Sequence, residues 1–302
     1  MRKLKKHILL LLIIMLSACS EKSMDMDSSN SPDSKNVANA ALGKLFIIGG
    51  GKRPPELIQS MLEEANLKDD DYILIIPSAS SEPDSACYYS SLQFKGLSDN
   101  ALFCIYLDSL ENKQESLDSI ANARLIYMSG GDQRLLMRYL RNEKVKYALW
   151  NAYQNGATLA GTSAGAAVMS EIMITGDQHF VPEYSPTFDR IQKGNLMVEQ
   201  GLGFLNDVII DQHFIVRSRY NRMFSALLEY PDKTVIGIDE STALIVSQDS
   251  MKVSGKSQVV VAQLAGAIEL DGNSVGMQNI EVNIYKNGDH FTLNKEVRKS
   301  HN

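Results

Sequence analysis

Gly156-Ala157-Thr158-Leu159-Ala160-Gly161-Thr162-Ser163-Ala164-Gly165-Ala166-Ala167 reads as a short apolar strand, a turn of small residues and the start of a small-residue helix. Residues 161–165 match G-x-S-x-G. In such a turn the chain reverses sharply between strand and helix. Positions two before and two after the serine come together there, and only small side chains fit. The serine Oγ is held clear of the sheet, and the next amide, Ala164 N–H, points to where an oxyanion would develop. Tight packing alone could also place a serine among small residues, but the strand before and the helix after favour Ser163 as a nucleophile.

The pattern around this turn is that of an α/β protein. Apolar runs at "KLFII", "YILII", "ALFCIYL", "LIYM" and "ATLAG" are continuous rather than alternating, and helical stretches separate them. Continuous runs are buried on both faces, so a largely parallel, doubly wound sheet flanked by helices is expected. "DVIIDQHF" and "TVIGID" are later strands, with the helix "RSRYNRMFSALLEY" between them. "DQRLLMRYLRNEKVKYALWNAYQNG" reads as helical throughout. After Ser241 the pattern changes to short strands with Asp-Gly and Asn-Gly turns, expected as antiparallel edge strands and hairpins of the same domain. One domain over residues 43–302 is expected, and its length suffices for a sizeable core.

The first twenty residues form a separate unit. "MRKLKKHILLLLIIMLSACS" has a basic start, an apolar run too short to span a membrane and a small-residue exit, the pattern of a secretory leader over residues 1–18. "LSAC" resembles a bacterial lipobox, which would make Cys19 a lipidation site and place the chain in the cell envelope, held to a membrane by its lipid. Residues 19–42 are polar and rich in Ser and Asp, and read as a flexible tether. The formal charge of the whole chain is −6, and no basic run suggests nucleic acid. No metal-spaced His/Cys cluster is present, and no metal or cofactor is expected. Cys104 lies in an apolar run and reads as core. Cys87 lies in a polar loop, and their pairing is left open.

Several glycine and polar clusters, the run Gly49-Gly50-Gly51 among them, sit at the ends of expected strands, where ligands gather in open α/β sheets. A serine nucleophile needs a base. Of the five histidines, only His213, at the end of "DVIIDQH", is placed by a strand near Ser163. The base needs an orienting carboxylate. Glu240, after "TVIGID", is the first choice, Asp177 the second and Asp239 the third. "SGGDQ" offers Gly130 or Gly131 as a second oxyanion amide. Arg219 and Arg222 share a helix face close to His213 and suit a carboxylate-bearing substrate.

Taken together, "SGGDQ", "GTSAGAAVM", "DQHFIVRSRYNRMFSALLE" and "GIDESTALIV" resemble cyanophycinases and the related aspartyl dipeptidases over about residues 43–265. The resemblance implies a class I glutamine-amidotransferase-like fold and a serine exopeptidase that cleaves beside β-linked aspartyl groups, releasing β-aspartyl-arginine from cyanophycin. It implies Ser163 as nucleophile, His213 as base and Glu240 as its partner, with Asp177 still open. It places Gln133, Asp211, Gln212, Arg219 and Arg222 around the substrate, and suggests a homodimer. The segment from Ser170 to Asn206 is longer than the resemblance leads one to expect. A chain anchored outside the cytoplasm also cannot reach polymer stored within its own cell. The readings are therefore scavenging of released cyanophycin, hydrolysis of another aspartyl or isoaspartyl peptide, or a peptide-binding lipoprotein without catalysis.

Overall fold

The computed structural model describes residues 43–109, 113–181, 183, 185–272 and 274–293. The expected leader, Cys19 and the tether lie outside the described residues. In chain order the elements are β1 (Lys44–Ile48), α1 (Pro55–Ala65), β2 (Tyr72–Ile76), α2 (Pro83–Phe94), β3 (Ala101–Cys104), α3 (Gln114–Ala121), β4 (Leu125–Met128), α4 (Gln133–Leu140), α5 (Glu143–Gln154), β5 (Thr158–Thr162) and α6 (Ala164–Ala167). Then follow β6 (Ile172–Gln178), β7 (Leu196–Gln200), β8 (Val208–Gln212), α7 (Tyr220–Glu229), β9 (Thr234–Ile238), β10 (Thr242–Ser247), β11 (Ser250–Gly255), β12 (Gln258–Leu264), β13 (Ile268–Asp271), β14 (Ser274–Met277), β15 (Ile280–Lys286) and β16 (His290–Thr292).

The main sheet has the order β16-β11-β10-β1-β5-β4-β2-β3. Its five strands from β1 to β3 in that order are parallel, as their continuous apolar sequences predict. One face carries Phe46, Ile48, Ile73 and Ile75 against α1 and Phe94 of α2. The other carries Leu45, Ile47, Leu74 and Ile76 against α3 to α6. The C-terminal strands β10, β11 and β16 extend the sheet beyond β1 in antiparallel fashion.

The later strands depart from a single sheet. β8 and β9 pair in parallel and join β12 and β15 in a second, four-stranded sheet. Ile210 and Ile236 on one side of it enter the core behind the main sheet, while Ile209 and Val235 pack with Met223, Ala226 and Leu227 of α7. The Asn287-Gly288 turn accordingly passes the chain from β15 in the second sheet to β16 in the first, whereas Asp271-Gly272 closes the β13–β14 hairpin as expected. The helical stretch 133–154 breaks into α4 and α5, because Asn142 caps the second helix through Lys144 N–H. Within the long segment β6 and β7 pair in antiparallel fashion.

Cys87 of α2 and Cys104 of β3 form a disulfide with Cα atoms 6.1 Å apart. Cys104 is therefore a half-buried edge residue in a covalent pair rather than the core residue its apolar surroundings suggest, and Cys87 lies on a helix rather than in a loop. Among the described residues no helix is long and apolar enough to cross a membrane.

Candidate active site

β5 is buried throughout, and the chain leaves it at Ser163 with φ 53° and ψ −108°. Side chains rarely occupy that region, and strain of this kind persists only where neighbours over-determine it. The neighbours here are crowded. A methyl group on Gly161 would lie 2.1 Å from the Gly165 carbonyl oxygen, and one on Gly165 would lie 2.3 Å from that of Met128. The need for small residues on either side of the serine is thus met by the contact expected of the motif. Between Ala157 and Ser170, Ser163 alone is not buried. A packing serine would face inward; this one is raised.

His213 follows β8 and Glu240 follows β9, the parallel pair of the second sheet. His213 Nε2 lies 2.9 Å from Ser163 Oγ, and Nδ1 lies 2.6 Å from Glu240 Oε1. With Ser163 Oγ–H donating to Nε2 and Nδ1–H donating to the carboxylate, the ring is in the tautomer a general base requires. Burial pushes the imidazole below its ordinary value of 6.5. The Glu240 bond opposes this, and Arg217 and Arg219 add to the lowering. The ring is neutral at neutral pH and can accept a proton.

The loop after β1 holds these parts together, a role the sequence reading did not assign. From the last residue of β1 onward its successive carbonyls are all engaged. Ile48 O accepts from Ser163 N–H at 3.1 Å, Gly49 O from His213 N–H at 2.6 Å and Gly50 O from Ser241 N–H at 2.9 Å. Gly51 O accepts from Arg53 Nη1 at 2.8 Å and Lys52 O from Ser241 Oγ at 2.7 Å. Three segments distant in sequence meet on one short loop. Gly50 and Gly51 have φ of 111° and 69°. A methyl on Gly50 would lie 2.3 Å from His213 Cε1, and one on Gly51 would lie 2.5 Å from Glu240 Oε2. The sequence signal was the run Gly49-Gly50-Gly51 at a strand end.

Other expected residues take different places. Asp177 is not the histidine's partner: it accepts from Arg134 Nη1 at 2.5 Å, joining β6 to α4. Asp239 is also committed elsewhere. Its Oδ1 receives Ile215 N–H and Val216 N–H and its Oδ2 receives Ser257 Oγ–H, so it fixes the turn after His213. Gln133 is buried, and its Nε2 donates to the carbonyls of Ile174 and Thr175, bracing β6 rather than offering its amide nitrogen to a ligand.

The arginines differ most from expectation. Arg222 is 1% exposed and binds Asp211 through Nε, at 2.8 Å to Oδ2, and through Nη2 to Oδ1. Arg219 Nη1 reaches Asp211 Oδ1 at 3.3 Å and both oxygens of Gln212, at 2.6 Å to the carbonyl and 2.5 Å to Oε1. These four residues form a buried ionic network between β8 and α7. They are not an open carboxylate clamp, because Asp211 already occupies the fork of Arg222.

The glycine turn after β4 flanks the nucleophile. A methyl on Gly130 would sit 3.4 Å from Ser163 Cβ, whereas one on Gly131 would lie 2.0 Å from the Ala79 carbonyl oxygen. Gly131 is therefore required by packing against residues 79–80, and Gly130 is the glycine that borders Ser163. Ala164 begins α6 directly after the nucleophile. Among the described residues no three His, Cys, Asp or Glu side chains gather to hold a metal ion.

Residues 45–254 match peptidase family S51. The chain is 31% identical over 265 residues to a cyanophycinase of Synechococcus elongatus, covering 83% of this chain and 79% of the relative. It is 30% identical over 271 residues to a cyanophycinase of Geminocystis herdmanii, covering 85% and 94%. Among solved structures, a peptidase from an acI-B1 actinobacterium superposes with a TM-score of 0.61 at 22% identity, covering 84% of this chain and 98% of that one. The last comparison bears on the fold alone.

Proposed function

The chain belongs to peptidase family S51 and is a serine peptidase, and from that premise we propose that it is an exopeptidase releasing β-aspartyl-arginine from cyanophycin. The carrying observation is the continuous relay from Ser163 Oγ through His213 to Glu240, with contacts of 2.9 and 2.6 Å. Ser163 Oγ attacks the amide carbonyl while its proton passes to Nε2. Glu240 holds Nδ1–H and stabilises the imidazolium that forms. Ala164 N–H and the amide of the Gly130 turn receive the oxyanion. The proton on Nε2 goes to the leaving amine, an ester to Ser163 remains, and water activated by the same nitrogen releases it.

The cyanophycinase relatives support the substrate class. The buried Arg219–Arg222–Asp211 network supports it less directly than the sequence suggested, since it leaves selection of the aspartyl chain end to groups around it, of which Arg217 is half-buried beside His213. The lipobox-like exit and the disulfide both suit an envelope enzyme that works on polymer released outside the cell.

The test is incubation of the purified chain with cyanophycin and with α- and β-aspartyl dipeptides, with products identified by mass. β-Aspartyl-arginine is expected, and Ser163→Ala is expected to abolish its release while melting like the parent. Turnover of small aspartyl peptides with the polymer untouched would replace the substrate and keep the mechanism. Undiminished turnover by Ser163→Ala would remove the mechanism.

A further inference from the structure

The five carbonyls from Ile48 to Lys52 gather the catalytic segments, and four of them receive donors from those segments themselves. The exception is Gly51 O, which receives Arg53 Nη1 at 2.8 Å. Gly51 is also the residue packed against the Glu240 carboxylate. Arg53 is half-buried, and its Nε donates to Gln93 Oε1 on α2 at 2.6 Å. The Gln93 amide is itself oriented, since its Nε2 donates to Tyr89 O at 3.1 Å. The same guanidinium lies close enough to the fully buried Tyr127 phenol to oppose the upward push of burial on it. One planar fork therefore ties the glycine loop to a helix on the face of the main sheet away from Ser163's helix.

We infer that Arg53 is a positioning residue for the hydrolytic reaction: clamped by Gln93, it fixes the Gly49–Gly51 loop and through it the placement of Glu240 and His213 against Ser163. This inference rests on the serine-peptidase reading of the site. The geometry calls for arginine in particular. Its Nε and Nη1 point to two acceptors at once in a rigid plane, whereas a lysine ammonium would reach one of them from a flexible stem. The groups facing His213 are Glu240 from the β9–β10 turn, Arg217 and Arg219 from the turn after β8, and Ser163 from the β5–α6 turn. Loosening Gly51 weakens the hold of Glu240 on Nδ1 and leaves burial and the two arginines to act on the ring. The base then titrates at lower pH and works less well.

A fluorophosphonate probe tests this without a known substrate. Ser163 Oγ forms a bond to phosphorus, the P–F bond breaks, fluoride leaves and the serine proton goes to His213. The labelling rate is measured across pH for the parent, Arg53→Ala, Arg53→Lys, Gln93→Ala and Ser163→Ala, alongside a thermal melt of each. Arg53→Ala is expected to label at least about tenfold more slowly, with its pH midpoint moved down, and Arg53→Lys to recover part of the rate. Gln93→Ala, which leaves the loop untouched, is expected to show a smaller loss in the same direction and serves if Arg53→Ala does not fold. Parental rate and midpoint in a folded Arg53→Ala or Gln93→Ala, with Ser163→Ala unlabelled, would overturn the inference alone. Labelling of Ser163→Ala would instead overturn the reading of the site beneath it.

Discussion

Among the described residues, three have backbone conformations that side chains avoid and also stand at the catalytic relay or next to it: Ser163, His213 and Ser241, with φ of 53°, 51° and 56°. Each sits next to a strand terminus, and each has its amide bonded to a carbonyl of residues 48–50, which is what over-determines the strain. His213 shows the electrical side of the same arrangement. Burial is the largest influence on it and lowers its pKa, while Glu240 opposes that. kcat/KM is therefore expected to rise through a midpoint below 6.5 and to hold level through neutrality. Glu240→Gln removes the opposing charge, so the midpoint should fall further and the plateau should drop by roughly 10²- to 10⁴-fold. A pH–rate series on both proteins checks this, and an unmoved midpoint would detach Glu240 from the base. The stability consequence has a fixed sign. A folded-state pKa below the unfolded value costs nothing above 6.5, and stability is lost as pH falls from there through the folded pKa.

Between elements, the joint of β8 to α7 shows how far the sequence could be read. Ser163, His213 and Glu240 were legible because nucleophile, base and carboxylate each stand at the end of a recognisable apolar strand. The arginine network was not, because charge in a sequence reads as exposure. The spacing of Arg219 and Arg222 correctly puts them on one helix face, but nothing in it says that the face turns inward onto Asp211. The glycine run at 49–51 was visible as a run. Its purpose was hidden because His213 and Glu240 reach it only through the second sheet, whose separation from the first depends on which strands pair. Asp177 was a fair candidate by chemistry and lost to geometry, since β6 carries it to Arg134. The two readings of the arginines predict different outcomes for Arg222→Met. A substrate clamp would raise KM and leave the melt unchanged. Removing Arg222 from a buried network leaves the Asp211 charge to Arg219 Nη1 alone, at 3.3 Å, and costs up to about 3–5 kcal/mol. The second outcome is expected, read as a large fall in the denaturant midpoint.

At the scale of the whole molecule, the main sheet places function near its middle and fastening at one edge. Ser163 leaves β5, which neighbours β1 near the middle of the main sheet, while the Cys87–Cys104 pair closes the far edge at β3, with β2 and β4 intervening. The edge needs fastening. β3 is short, alternates between exposed and half-buried positions, and shows solvent 54% of Phe103. The chain has three cysteines, so lipidation of Cys19 and pairing of the other two would leave no thiol free, a consistent plan for an oxidising compartment. The pair spans a sequence separation of 17, and a loop of that size is worth roughly 3 kcal/mol in the chain-entropy account. Reduction, or Cys87→Ser with Cys104→Ser, is therefore expected to lower the unfolding free energy by about 2–3 kcal/mol. The fluorophosphonate labelling rate of Ser163 should fall no further than in Gln93→Ala, because the pair reaches the relay only through α2 and its Gln93. Protein isolated from its native source and denatured without reductant should show no titratable thiol on the proposed lipidation of Cys19. Two free thiols would remove the disulfide from the working molecule, and with it its bearing on the proposed site of action.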